Sequence, residues 1–180
     1  YGVGAVQAWM DRLIAHTAEV AATRIQLIPR GSYRHEDCLD DDGLDPEPVR
    51  IAVEVVVDDD GLRFDFSGTS PQVRGPVNAP LSVTLSSVYY VVLCLLGEDV
   101  PPNQGCFSRV QVMAPAGTVV NARFPAAVAA GNVETSQRVV EVLLGALAQA
   151  LPGRVPAASG GTMNNVSIGW ARDGDRAGAA

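Results

Sequence analysis

The 180-residue chain predicts an α+β domain of mixed helices and short strands. Three observations carry that reading. Apolar residues recur at helical spacing over residues 3–27 and again from about 134 to 150. Residues 51–57 and 62–66 alternate with a period of two on either side of the turn signal DDDG. Residues 81–97 form a long apolar segment whose length favours a helix despite its β-branched content.

Each element follows in chain order. Residues 3–27 set Val6, Met10, Leu13, Ile14, Ala21 and Ile25 along one helical stripe, which Pro29 and Gly31 end. SYRHEDCLDDDGLDPEPV is expected to be an acidic loop. IAVEVVV and LRFDF are expected to form a hairpin. SGTSPQVRGPVNAP, residues 67–80, is a loop of Gly, Pro and small polar residues. After the 81–97 helix and the loop EDVPPNQGCF, SRVQVMAP and TVVNARF are expected to be two short strands joined by AGT. The 134–150 helix ends at Pro152, and PAASGGTMNNVSIGW closes with a Gly-rich loop and a strand. Residues 171–180, which contain the tail DGDRAGAA, are expected to fray or to mark a truncation edge. A chain that opens on Tyr1 without signal-peptide grammar is expected to be a piece of a longer polypeptide.

Composition narrows the function classes. A net charge of −7 argues against a nucleic-acid partner, because phosphate binding needs clustered cations. No apolar run approaches the roughly 18 residues that cross a bilayer. Cys38, Cys94 and Cys106 are odd in number and lack CxxC spacing, as expected of reduced thiols in a cytoplasmic protein.

Four polar segments are candidate sites. Asp37, Asp40, Asp41, Asp42 and Asp45 fail the calcium-loop template: placing Gly43 sixth puts Cys38 first and Val49 twelfth, so a solvated turn is the better reading. Nothing in the spacing brings His16 and His35 together as metal ligands. In DFSGTS, Asp65, Ser67 and Thr69 either cradle a phosphate or satisfy the backbone of a tight turn. In GNVETSQR, Asn132 or Thr135 is a candidate N-cap, with Glu134 in the first turn. There Glu134 and Arg138 stand four apart and are placed to pair. Alternatively, Ser136, Gln137, Arg138 and the helix N-terminus make a pocket for a carboxylate, phosphate or carbonyl. In SGGTMNN, Asn164 and Asn165 either orient a polar ligand or cap turns. No Ser-His-Asp or Cys-His arrangement is readable.

The order RGSYRHEDCLDDDG, DFSGTSPQVRGPVNAP, DVPPNQGCF, PAGTVVNARFPAAVAAGNVETSQR, PAASGGTMNN resembles the hydantoinase B family over about residues 1–170. That family comprises the B components of ATP-dependent N-methylhydantoinases, the C-terminal half of 5-oxoprolinases and related subunits of acetone and acetophenone carboxylases. The resemblance implies a partial hydantoinase B-like domain over residues 1–170 of a longer polypeptide. It also implies a bacterial, cytoplasmic, hetero-oligomeric hydrolase component acting on cyclic amides. ATP and Mg²⁺ would enter through a hydantoinase A-like partner. No metal is implied within these residues; a divalent metal would belong to the N-terminal part of the longer chain. The implied B-side pocket has Glu134 and Arg138 as catalytic candidates. Its substrate-binding candidates are Asp65, Ser67, Thr69, Asn132, Thr135, Ser136, Gln137, Asn164 and Asn165. A carboxylase component and a non-catalytic interaction segment are the alternatives.

Overall fold

The computed structural model describes residues 1–164, 166 and 168. A long helix α1 (Val3–Ile25) leads into β1 (Gly31–Leu39), β2 (Val49–Val57) and β3 (Leu62–Asp65). Helix α2 (Leu81–Leu96), a 3₁₀ turn (Gln104–Phe107) and β4 (Val110–Met113) follow, then a π-helical turn (Gly131–Thr135) that runs directly into α3 (Ser136–Ala150). The sheet order is β1-β2-β3-β4, antiparallel except for the parallel β3–β4 pair. This is the α+β fold that the periodicities predict.

One face of the sheet makes the core. Val49, Ile51, Val53, Val55 and Val57 of β2 all point inward and are buried, as a half-covered strand requires. Phe64 and Phe66 join them with no exposed surface. Helix α3 lies across this face with Val139, Val142, Leu143, Ala146 and Leu147, and α2 packs beside it through Val88, Val91 and Val92. The other face, carrying Arg34, Glu36, Arg50 and Glu54, is open.

The β2–β3 hairpin turns as expected. The Asp58 Oδ1 accepts the N–H groups of Asp60 and Gly61 at 2.9 and 3.2 Å. Gly61 has φ 132°, and a Cβ there would lie 2.1 Å from the Arg109 carbonyl oxygen, so only glycine fits.

Two expectations are corrected. The start of the supposed acidic loop is β1, paired with β2 from Gly31↔Val57 to Leu39↔Val49. Its polar composition misleads because it is an edge strand, where charged side chains discourage further pairing. TVVNARF is not a strand. Val119 and Val120 are both buried, where strand alternation would expose one, and the Asn121 N–H closes a turn on the Thr118 carbonyl at 3.1 Å. The segment instead braces the 70–79 loop, with Ala79 N–H on the Val119 carbonyl at 2.7 Å and Ala122 N–H on the Ala79 carbonyl at 3.1 Å. The strand expected at the end of PAASGGTMNNVSIGW and the tail 171–180 lie outside the described residues.

Candidate functional site

The entry to α3 is built from backbone contact. Gly131 packs on the Asn78–Ala79 peptide, where an added Cβ would sit 2.1 Å from the Asn78 carbonyl oxygen. The Ala130 N–H reaches the Pro76 carbonyl at 2.9 Å, and the Thr135 hydroxyl donates to the Val77 carbonyl. The expected N-cap therefore does not form. Neither Asn132 nor Thr135 caps the helix, because the π-helical turn continues the coil backwards and Thr135 is spent on the neighbouring loop.

That loop is organised by Asn78, which is fully buried. Its Nδ2 donates to the carbonyls of Val73, Gly75 and Ala127, each at 2.9 Å, and its Oδ1 accepts the Val73 N–H at 2.8 Å. The amide has two N–H donors and one acceptor oxygen, so the three carbonyls share two hydrogens and every polar group of the side chain is used.

Asp42 locks the β1–β2 connection against the same loop. Its Oδ1 accepts the N–H groups of Leu44 and Asp45 at 2.8 and 2.7 Å, and its Oδ2 accepts Gly75 N–H at 2.7 Å. These N–H groups, led by Asp45 and with help from the Arg74 charge, hold the Asp42 carboxyl below the usual aspartate range. The sign follows. A depressed folded pKa stabilises fully above the unfolded value of about 3.9 and is lost as pH falls through the folded one. The melting-temperature gap between wild type and Asp42→Asn is therefore expected to be largest above about pH 5 and to shrink below about pH 4. A gap constant with pH would contradict this role.

The pairing expected between Glu134 and Arg138 is replaced by longer-range contacts. Arg138 donates through its Nη1 to Asp37, whose other oxygen accepts the Cys38 N–H at 2.8 Å. Glu134 accepts the Thr162 hydroxyl at 2.8 Å. One turn beyond Arg138, Glu141 accepts the Ser159 hydroxyl at 2.7 Å. Glu134, Arg138 and Glu141 form one helical stripe, so the Gly-rich loop lies along α3. Gly161 is buried against the Arg138 guanidinium, and a Cβ there would fall 2.7 Å from its Nη2.

These contacts enclose an open cleft of about 460 Å³. Its walls are Asp40–Gly43, Pro76 and Val77, Glu134 and Arg138, and Gly160–Thr162. Three segments singled out in the sequence thus converge: the acidic connection, GNVETSQR and SGGTMNN. Arg138 has one-fifth of its side chain exposed, and its buried Nε has no partner among the described residues. The cleft wall therefore carries both a cation fixed by Asp37 and the Glu134 carboxylate, a combination suited to a carbonyl or phosphate beside a transferable proton.

DFSGTS does not join this cleft. Asp65 lies opposite Glu54, and with Ser67 it lines a separate groove of about 490 Å³ on the open sheet face. Asp37, by contrast, lies opposite the inward-facing Ile51. The Asp65 Oδ1 accepts the Ser67 N–H at 2.8 Å, and the Thr69 hydroxyl both donates to the Ala52 carbonyl and accepts its N–H, at 3.1 Å each. Thr69 is thus a backbone splice to β2. Thr69→Val is expected to lower stability by about 1–3 kcal/mol, measured by urea denaturation, with no change in ligand affinity at the α3 cleft. Thr135 and Ser136 are buried, with Thr135 on the Val77 carbonyl and the Ser136 carbonyl accepting the Ser87 hydroxyl at 3.5 Å. Asn132, Gln137 and Asn164 are outside the lining of the α3 cleft, and Asn165 lies outside the described residues.

Asp37, read in the sequence only as a possible cation ligand, is the partner of Arg138. Asn78 carried no signal beyond its place in a Gly- and Pro-rich loop. Among the described residues, no three His, Cys, Asp or Glu side chains group as a metal site, and Cys38, Cys94 and Cys106 are free thiols. No described helix is long and apolar enough to cross a membrane.

The comparisons agree with this architecture. The profile of the hydantoinase B/oxoprolinase family matches residues 1–179. 5-Oxoprolinase 1 of Arabidopsis thaliana is 34% identical over 94% of this chain, which spans 14% of that protein. The putative B component of a D-/L-hydantoinase from a Pseudomonas species is 36% identical over 89% of the chain, which spans 29% of it. The crystal structure of the ATP-dependent caprolactamase of Pseudomonas jessenii superposes with a TM-score of 0.75 at 26% identity, covering 86% of this chain and 27% of that one. Because a plant protein matches as well as bacterial ones, the family carries no implication of a bacterial source. The chain belongs to the hydantoinase B/oxoprolinase family and spans well under a third of each of these relatives.

Proposed function

We propose that this chain is the part of an ATP-dependent cyclic amide hydrolase that holds the activated ring, with the cleft at the head of α3 as its substrate site. One observation carries the reading: Arg138 and Glu134 line a single open cleft walled by the Gly-rich loop, Arg138 held by Asp37 and Glu134 by Thr162. Family membership supplies the reaction class, since relatives are named for opening 5-oxoproline, hydantoin and caprolactam rings.

In this reading a hydantoinase A-like partner uses ATP and Mg²⁺ to phosphorylate the ring carbonyl oxygen, and the two proteins meet as a cytoplasmic hetero-oligomer. Arg138, held in place by Asp37, supplies a fixed positive charge beside the phosphorylated oxygen. Glu134 takes a proton from the water that adds to the activated carbon. It returns that proton to the ring nitrogen as the C–N bond breaks, leaving an acyl phosphate that a second water hydrolyses to the carboxylate and inorganic phosphate. Asp37 fixes the guanidinium without touching the substrate. Asp65, Ser67 and Thr69 stand aside from this chemistry.

The test is ring opening of 5-oxoproline, hydantoin and caprolactam by the complete natural polypeptide with its A-type partner. ADP is expected to form in step with one of these products, and no product is expected when ATP is withheld. Product formed equally well without ATP would overturn the reading.

A further inference from the structure

We infer that the first four turns of α1 are an interface for a helix contributed by the rest of the longer polypeptide, the portion of a hydantoinase B-type chain that lies outside these 180 residues. The inference rests on family membership and on α1 itself, and is independent of the cleft chemistry.

Helix α1 is 23 residues long, about 35 Å at 1.5 Å per residue. Every residue from Val3 to His16 is exposed, and the first buried position is Thr17. Yet the exposed half is not a solvated face. Val3, Val6, Met10 and Leu13 are 75, 47, 58 and 49% exposed and follow one another at intervals of three and four. The same stripe continues through Thr17, Ala21 and Ile25, which are 0, 1 and 2% exposed and belong to the domain core. Trp9, 65% exposed with Arg12 over its ring at 5.3 Å, and Ile14 widen it. One continuous apolar stripe is therefore core at one end and bare at the other. The helix projects beyond the 3₁₀ turn whose Gly105 packs on the Ile14 carbonyl, and a projecting segment of that length is marginal in water, so the bare half needs a cover.

The spacing selects the cover's shape. An a/d-like stripe of three- and four-residue steps accepts the ridges of another helix. Size selects its source. Two four-turn stripes pressed together bury on the order of 1,000 Å² in total, at the lower edge of what stable complexes between separate molecules use. A segment tethered in the same polypeptide meets no such threshold, because its effective concentration is high. The relatives have the necessary length, since this chain spans 14% of one and 27% of another.

The experiment compares Leu13→Asp, with Leu13→Gln as a milder variant, in two settings: the 180-residue chain and the complete natural polypeptide that carries it. In the short chain Leu13 is half-exposed outside the core, so its melting temperature should hold within about 1 °C and the chain should run as a monomer by light scattering. In the complete polypeptide, both variants should lower the melting temperature, the aspartate by several degrees more than the glutamine. Equal, unchanged melting temperatures in both settings would overturn the inference. So would a short chain that is dimeric and becomes monomeric on substitution, which would assign the stripe to a second copy. Loss of binding to a separate protein with the polypeptide's own stability unchanged would assign it to that protein, and would overturn the inference equally.

Discussion

Arg138→Ala is expected to lower kcat/KM for ATP-dependent ring opening by roughly 10²–10³-fold while leaving the domain folded. The reason is geometric. The guanidinium is held between the Asp37 carboxylate and the Gly161 backbone at the wall of the cleft. Its removal deletes a fixed positive charge where the activated carbonyl oxygen would gather negative charge. Stability should change little, because Asp37 keeps 43% of its side chain exposed and water replaces the lost partner. Arg138→Lys should recover only part of the loss, since an ammonium cannot span Asp37 and a phosphate in one plane. Asp37→Asn is the companion variant. It leaves Arg138 in place but free to swing, so it should raise KM more than it lowers kcat. Steady-state kinetics on the three variants, with circular dichroism of each, separate these outcomes. A Lys variant equal to wild type would show that charge alone matters.

Asn78→Ala should have the largest effect on stability, about 3–5 kcal/mol, or a melting temperature lower by roughly 6–20 °C. Four polar contacts at 2.8–2.9 Å end on this one fully buried amide, three of them sharing its two N–H donors. Truncation leaves the Val73 N–H and the carbonyls of Val73, Gly75 and Ala127 without that partner in a closed site. The damage should spread to the cleft, since the Val77 carbonyl holds Thr135, the Pro76 carbonyl holds Ala130, and Gly131 rests on the Asn78 peptide. Asn78→Asp tests the account more sharply. It keeps the oxygen that accepts Val73 N–H, but turns a second oxygen toward three carbonyls. It should be no milder than alanine. A melting temperature within about 2 °C of wild type for either variant would show that the loop is held by other contacts.

The fold was legible where periodicity is strong. Val3–Ile25, the β2–β3 hairpin, Leu81–Leu96 and Ser136–Ala150 all fall where the apolar spacing places them. What periodicity missed has physical causes. Strand β1 reads GSYRHEDCL, because an edge strand with one open face has few apolar residues to alternate. TVVNARF has strand composition, yet its two adjacent valines are both buried by a turn that braces a neighbouring loop.

The candidate site was half legible. GNVETSQR and SGGTMNN stood out by their polar density, and they do meet, through Glu134 and Thr162. Asp65 and Ser67 stood out equally and lie in another groove, since a strand places alternate residues on opposite faces of the sheet. The Asp37–Arg138 pair joins residues 101 apart, and no local pattern signals a contact closed by tertiary packing. Asn78 was silent for the opposite reason. A buried asparagine that organises a loop has the same letter, in the same Gly- and Pro-rich setting, as one that merely caps a turn.

The most direct measurement uses Glu134→Gln in the complete polypeptide with its A-type partner, following ADP and ring-opened product in the same reaction. The glutamine cannot accept a proton but nearly preserves the shape of the cleft. If the cleft opens the activated ring, ADP formation persists while product falls by roughly 10²–10⁴-fold, so ATP consumption is uncoupled from ring opening. If product continues to form in step with ADP at the wild-type rate, Glu134 carries no proton in this reaction and the chemistry lies outside the cleft at the head of α3.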